Sequence, residues 1–122
     1  MVRERSDIQD KILQLLREAS LRAWHNEHQG VITCQWKVLV LSLVANPPKA
    51  PEMPSSIKYN DTWYGPQSST ETHTIYVQPE NYRHERYVWQ HQDVVLRRAI
   101  ELFGRRRGEE VVRYGLSYVM RG

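Results

Sequence analysis

A single cysteine, a single phenylalanine and no long apolar run set the first limits on this 122-residue chain. Cys34 cannot close an internal disulfide, which points to a reducing compartment, cytoplasmic or nuclear. The longest apolar stretch, VLVLSLVA from Val38 to Ala45, falls far short of the ~20 residues that a membrane-spanning helix needs. The N-terminus, MVRERSDIQDK, opens on charges and then becomes amphipathic, unlike a secretory leader. Also missing are a Gly-rich phosphate loop, an HExxH pair and a cysteine pair, so no metal and no cofactor are expected. YGLSYV around Ser117 lacks the second glycine of a nucleophile elbow. Cys34 lies in an apolar stretch, where an inert thiol is the default. The chain therefore reads as a non-enzyme of one domain, residues 1–122.

Charge is informative by position. Residues 1–82 hold eight Lys/Arg against nine Asp/Glu, whereas residues 83–122 hold nine arginines against five acids. The whole positive excess thus sits in the last third, and every basic group there is an arginine. Arginine suits bidentate contacts to phosphate or carboxylate and stacking on bases. The densest run is ELFGRRRGEEVVRYG, in which Arg105, Arg106 and Arg107 stand between two glycines, with Arg97, Arg98 and Arg113 close by. Local physics offers a bland account. Gly104 fits a helix C-cap, and cations just beyond a helix C-terminus complement its dipole by about 0.3–1 kcal/mol. That account leaves open why all three are arginine.

Four Trp and seven Tyr against one Phe is a polar-tipped selection of aromatics. Trp36 and Trp89 fit a core, while Trp24, at the end of a helix, and Trp63, in the loop NDTWYGP, suit stacking on exposed bases. His25 and His28 share a helical face near Glu27, and His84 and His91 lie seven apart, but neither pair gains a third ligand. The prolines of PKAPEMP, Pro48, Pro51 and Pro54, recur every third residue and would line one edge of a polyproline II helix, with Lys49 beside them for an acidic pocket.

For local structure, Ser6 and Gln9 form a capping box ahead of Ile8, Ile12, Leu15, Leu16, Ala19 and Ala23, predicting a helix over 7–26 ended by Gly30. VITCQWKVLVLSLV, Val31 to Val44, is rich in β-branched residues and predicts a long strand bent near Gln35. A short strand is expected around Ile57 to Trp63 and another over Thr72 to Val77. A second helix is expected over His84 to Phe103, and a terminal strand over EEVVRYGLSYVM with a bulge at Gly115. The order predicts an α+β fold: a mixed or antiparallel sheet of three to four strands with two helices on one face. A strand as apolar as VLVLSLV needs cover on its edges, so a homodimer is expected.

These readings converge on a nucleic-acid-binding protein, for RNA more than DNA. Arg97, Arg98, Arg105, Arg106, Arg107 and Arg113 would contact phosphates, and Trp24 or Trp63 would stack. The alternative is a protein-interaction adaptor or antagonist that docks an acidic partner through its arginines or through Pro48, Lys49, Pro51 and Pro54. No membrane is expected as a partner.

Overall fold

The fold is seen in a computed structural model that describes residues 3–25, 27–49, 57–59, 62–64 and 82–121. Among these residues the chain forms α1 (Arg3–Trp24), α2 (His28–Ala45), β1 (Ile57–Tyr59), β2 (Thr62–Tyr64), α3 (Tyr82–Gln90), α4 (Gln92–Phe103) and α5 (Arg105–Arg121). This is a helical fold, not the α+β sheet expected. Strand structure among the described residues is one antiparallel hairpin, in which Ile57 faces Tyr64 and Tyr59 faces Thr62. The strand expected over Thr72 to Val77 lies outside the described residues, as do Pro51 and Pro54.

The largest correction concerns Val31 to Val44, which is helix α2. Every residue from Val38 to Ala45 is buried, because α1, α4 and α5 all pack against α2. A helix enclosed on all sides has no polar face, so its sequence shows no 3.6-residue alternation. β-Branched residues cost a few tenths of a kcal/mol each in a helix. Burial of each such side chain returns roughly 1.5–3 kcal/mol, so packing decides the conformation. The edge argument for a dimer falls with the strand, since these residues are already covered within one chain.

α1 begins at Arg3, so Ser6 lies inside it and does not cap it. It ends at Trp24, and Gly30 belongs to α2. Ile8, Leu15 and Ala19 form its buried stripe. The turn into α2 is closed by the Glu27 amide donating to the Arg22 carbonyl at 2.8 Å and by an Arg22–Glu27 ion pair at 3.5 Å. Close by, Glu18 sits 4.0 Å from the Cys34 thiol. Burial pushes that thiol's pKa up; the Glu18 carboxylate adds to the rise, and Arg22 and Lys37 oppose it.

The second expected helix is two, α3 and α4, broken at His91. At the break the His91 ring lies 4.8 Å from the Tyr87 ring, and the Gln92 side chain donates to the Trp89 carbonyl at 3.1 Å. Gly104 ends α4 as expected, with φ of 87° and its amide donating to the Ile100 carbonyl at 2.8 Å.

The expected terminal strand is α5. Its inner face is built for close approach. A Cβ on Gly108 would stand 2.9 Å from the backbone of Ala99 and Ile100, and one on Gly115 would stand 2.1 Å from the Trp36 ring. Gly115 is therefore a seat for an indole and not a strand bulge. Gly108, Val111, Val112 and Gly115 are all buried, a spacing of three, four and seven that marks one helical face. One core unites Ile8, Trp36, Ile57, Val88, Val95 and Val111. No helix among the described residues is long and apolar enough to cross a membrane.

Candidate functional site

The arginines singled out in the sequence divide into two groups. Arg98 and Arg107 are engaged inside the fold. α2 ends with carbonyls that lack partners in its own helix, as every helix does. Arg98, reaching from α4, donates to the Ser42 carbonyl at 2.8 Å, to Ser42 Oγ at 3.2 Å and to the Asn46 carbonyl at 2.7 Å. Its Nε also lies 3.6 Å from Glu101. It is the C-terminal cap of α2, placed where the helix dipole is negative. Arg107 donates to Gln35 Oε1 at 3.0 Å and pairs with Glu110 at 3.0 Å. Glu110 also approaches His28 at 3.7 Å. Beside these contacts Tyr114 and Thr33 hydrogen-bond through their hydroxyls at 3.3 Å. Together they tie α5 to α2.

Arg105, Arg106 and Arg113 form the second group, and all three are exposed. None makes an ion pair among the described residues. Arg106 and Arg113 are seven apart on α5 and so share a face, the one opposite the Gly108–Gly115 seam. Arg105 and Arg106 occupy the first turn of α5, which contains no acidic residue. There the bland account of this segment weakens. The negative end of α4 stops at Gly104 and the positive end of α5 starts at Arg105. The two dipole ends abut, so whatever α4 offers a cation at this corner α5 largely withdraws.

Arg97 belongs elsewhere. It is exposed on α4 and lines a cleft of about 270 Å³ with Pro48, Lys49, Val94, Arg98 and Glu101. Two residues read from the proline segment and two read as phosphate contacts thus meet in one depression at the end of α2. Sequence separation hid this meeting.

Neither Trp24 nor Trp63 stands on α5, the helix of the exposed arginines. Trp24 is 83% exposed, on α1, whereas the free arginines lie on α5; α1 packs chiefly on α2. Trp63 lies on β2, opposite Lys58, and not in a loop. Trp36 is core, and its indole Nε1 has no hydrogen-bond partner among the described residues; the same holds for the Tyr87 hydroxyl. Burial raises the Tyr87 pKa, with Arg98 opposing the rise and Asp93 adding to it. Among the described residues no three His, Cys, Asp or Glu side chains converge in a way that could hold a metal ion.

Sequence reasoning passed over one surface. Leu13 is 50% exposed and Leu21 64%. With Leu16, Arg17, Ser20 and Trp24 they line an open groove of about 490 Å³ along α1. Leu13, Leu21 and Trp24 stand off the buried Ile8–Leu15–Ala19 stripe, and that displacement was the available signal.

No protein-family model matches the chain, and neither a curated protein nor a solved structure does.

Proposed function

We propose that this chain is a non-enzymatic nucleic-acid-binding protein whose exposed α5 arginines contact the phosphate backbone. The observation that carries the reading is the set of exposed arginines Arg105, Arg106 and Arg113, without an ion pair among the described residues, at a helix junction whose own electrostatics do not call for them. Arg98 and Arg107 are outside the contact set, since their donors are engaged on α2 and on Glu110. Phosphate contacts through exposed arginines position a protein without reading sequence, so binding is expected to follow backbone and shape.

The test is a fluorescence-anisotropy titration with single- and double-stranded RNA and DNA at several salt concentrations. Each phosphate neutralised contributes a slope of about 0.9 log units of affinity per log unit of salt on duplex DNA and about 0.7 on single strands. Replacing Arg105, Arg106 and Arg113 with alanine is expected to remove binding or to flatten that slope. Binding that is unchanged in the triple variant would overturn the reading. The four nucleic-acid arms separate RNA, the expected ligand, from DNA.

A second reading rests on the cleft of Pro48, Lys49, Arg97 and Arg98. Its exposed cations Lys49 and Arg97, beside Pro48, suit an acidic protein segment, as an adaptor would use. Lys49→Glu with Arg97→Glu would abolish capture of such a partner while leaving nucleic-acid binding through α5 in place.

A further inference from the structure

The groove on α1 carries its own charge pattern. Asp10, Arg17 and Trp24 recur every seven residues, and Leu13 and Ser20 lie between them. This is the spacing of a helix-pairing seam. Asp10 and Arg17 are both exposed, and neither makes an ion pair among the described residues. Asp10 and Arg17 are thus an acid and a base two helical turns apart on the seam.

Those two charges choose among the ways a second copy could lie on α1. Parallel pairing would set Asp10 on Asp10 and Arg17 on Arg17, like on like. An antiparallel pairing of Leu13 on the partner's Leu21 would put the two-fold axis at Arg17 and bring both guanidinium groups together. Antiparallel pairing of Asp10 with the partner's Arg17 gives two opposite-charge contacts related by the axis. That axis passes midway between Leu13 and Gln14, which is also the midpoint of α1 as it runs from Arg3 to Trp24. The charge-matched register is thus the one that overlaps the helix end to end, over roughly 33 Å at ~1.5 Å per residue. It brings Leu13 of each copy beside the axis, opposite the partner's Gln14. A self-complementary patch of this kind is what a two-fold dimer requires.

From this match of charge and register we infer that α1 is a homodimer interface, paired antiparallel, with Asp10 of each copy facing the partner's Arg17. The interface is separate from the α5 arginine face, and the inference does not depend on nucleic-acid binding.

Sedimentation velocity across a concentration series tests it, with Asp10→Arg, Arg17→Asp and their equimolar mixture. Wild type is expected to dimerise, and each single variant to lose at least tenfold in self-affinity because it sets like charges together. The mixture is expected to restore a dimer, since one copy then carries two bases and the other two acids. Both positions are exposed, so far-UV circular dichroism should be unchanged. If either charge reversal loses helicity, Asp10→Asn and Arg17→Gln replace the pair, each expected to weaken the dimer by a smaller factor. A wild-type monomer throughout the series would overturn the inference. So would a dimer indifferent to these substitutions, or a mixture that fails to restore association.

Discussion

The two faces of α5 are made of opposite materials. The inner face carries Gly108 and Gly115, where the absence of a side chain lets the backbone of Ala99 and the ring of Trp36 come close. The outer face carries Arg106 and Arg113, long side chains without an ion-pair partner among the described residues. Within one helix, stability is thus concentrated where the residues are smallest, and the largest side chains are left to solvent. The comparison also separates arginines of identical chemistry: Arg107 and Arg98 hold helices together, while Arg105, Arg106 and Arg113 do not.

The sharpest way to break the inner face is Gly115→Ala. The added carbon would collide with the Trp36 ring, which is itself fully buried. Overpacking of this kind costs about 1–3 kcal/mol, and more where the neighbour cannot move. Chemical denaturation should show the loss as a lower midpoint. Gly115→Ala at wild-type stability would mean that α5 does not seat on Trp36.

Arg98→Ala comes next. It removes the guanidinium from the Ser42 and Asn46 carbonyls at the end of α2, although the Ser42 carbonyl keeps the Asn46 amide at 2.9 Å. Charged hydrogen bonds are worth roughly 1.5–3 kcal/mol, but Arg98 is only partly buried and Asn46 is exposed, so part of that is regained from water. A loss on the order of 1–2 kcal/mol is expected, and Arg98→Lys should recover only some of it because one ammonium cannot reach both carbonyls in a fixed fork.

Alanine at the exposed arginines Arg105, Arg106 and Arg113 should change stability by no more than about 0.5 kcal/mol. The smallest effect belongs to Cys34. Its thiol pKa is raised in the folded chain, above all by burial. On unfolding the thiol would ionise at lower pH than in the native state. The contribution is therefore fully present below the ordinary thiol range and declines as pH rises through it towards the folded value. Stability measured against pH should fall slightly more steeply on the alkaline side for wild type than for Cys34→Ala.

How far the sequence revealed this structure varied with exposure. α1 could be read because Ile8, Leu15 and Ala19 alternate with polar residues that meet solvent. The stop at Gly104 could be read because a left-handed C-cap favours glycine. α2 could not, because enclosure removes the alternation by which a helix is recognised, and an apolar run is then ambiguous between helix and strand. α5 was misread because its packing residues include two glycines, which count as breakers in a sequence and as contacts in a core. The arginines of the candidate site were visible as charge, but their division into engaged and free was not. That division depends on Ser42, Asn46 and Gln35, all more than 50 residues away in the chain. Likewise, nothing in the spacing of Pro48 and Lys49 announced Arg97 as their neighbour.

The most direct test of the central claim is a paired measurement on the Arg105→Ala/Arg106→Ala/Arg113→Ala protein: its denaturation midpoint, and its affinity for RNA and DNA across a salt series. The account predicts a midpoint at the wild-type value together with lost or salt-flattened binding. A lowered midpoint with binding intact would place these arginines among the groups that hold the fold, and would contradict the division of α5 into a packing face and a phosphate-contacting face.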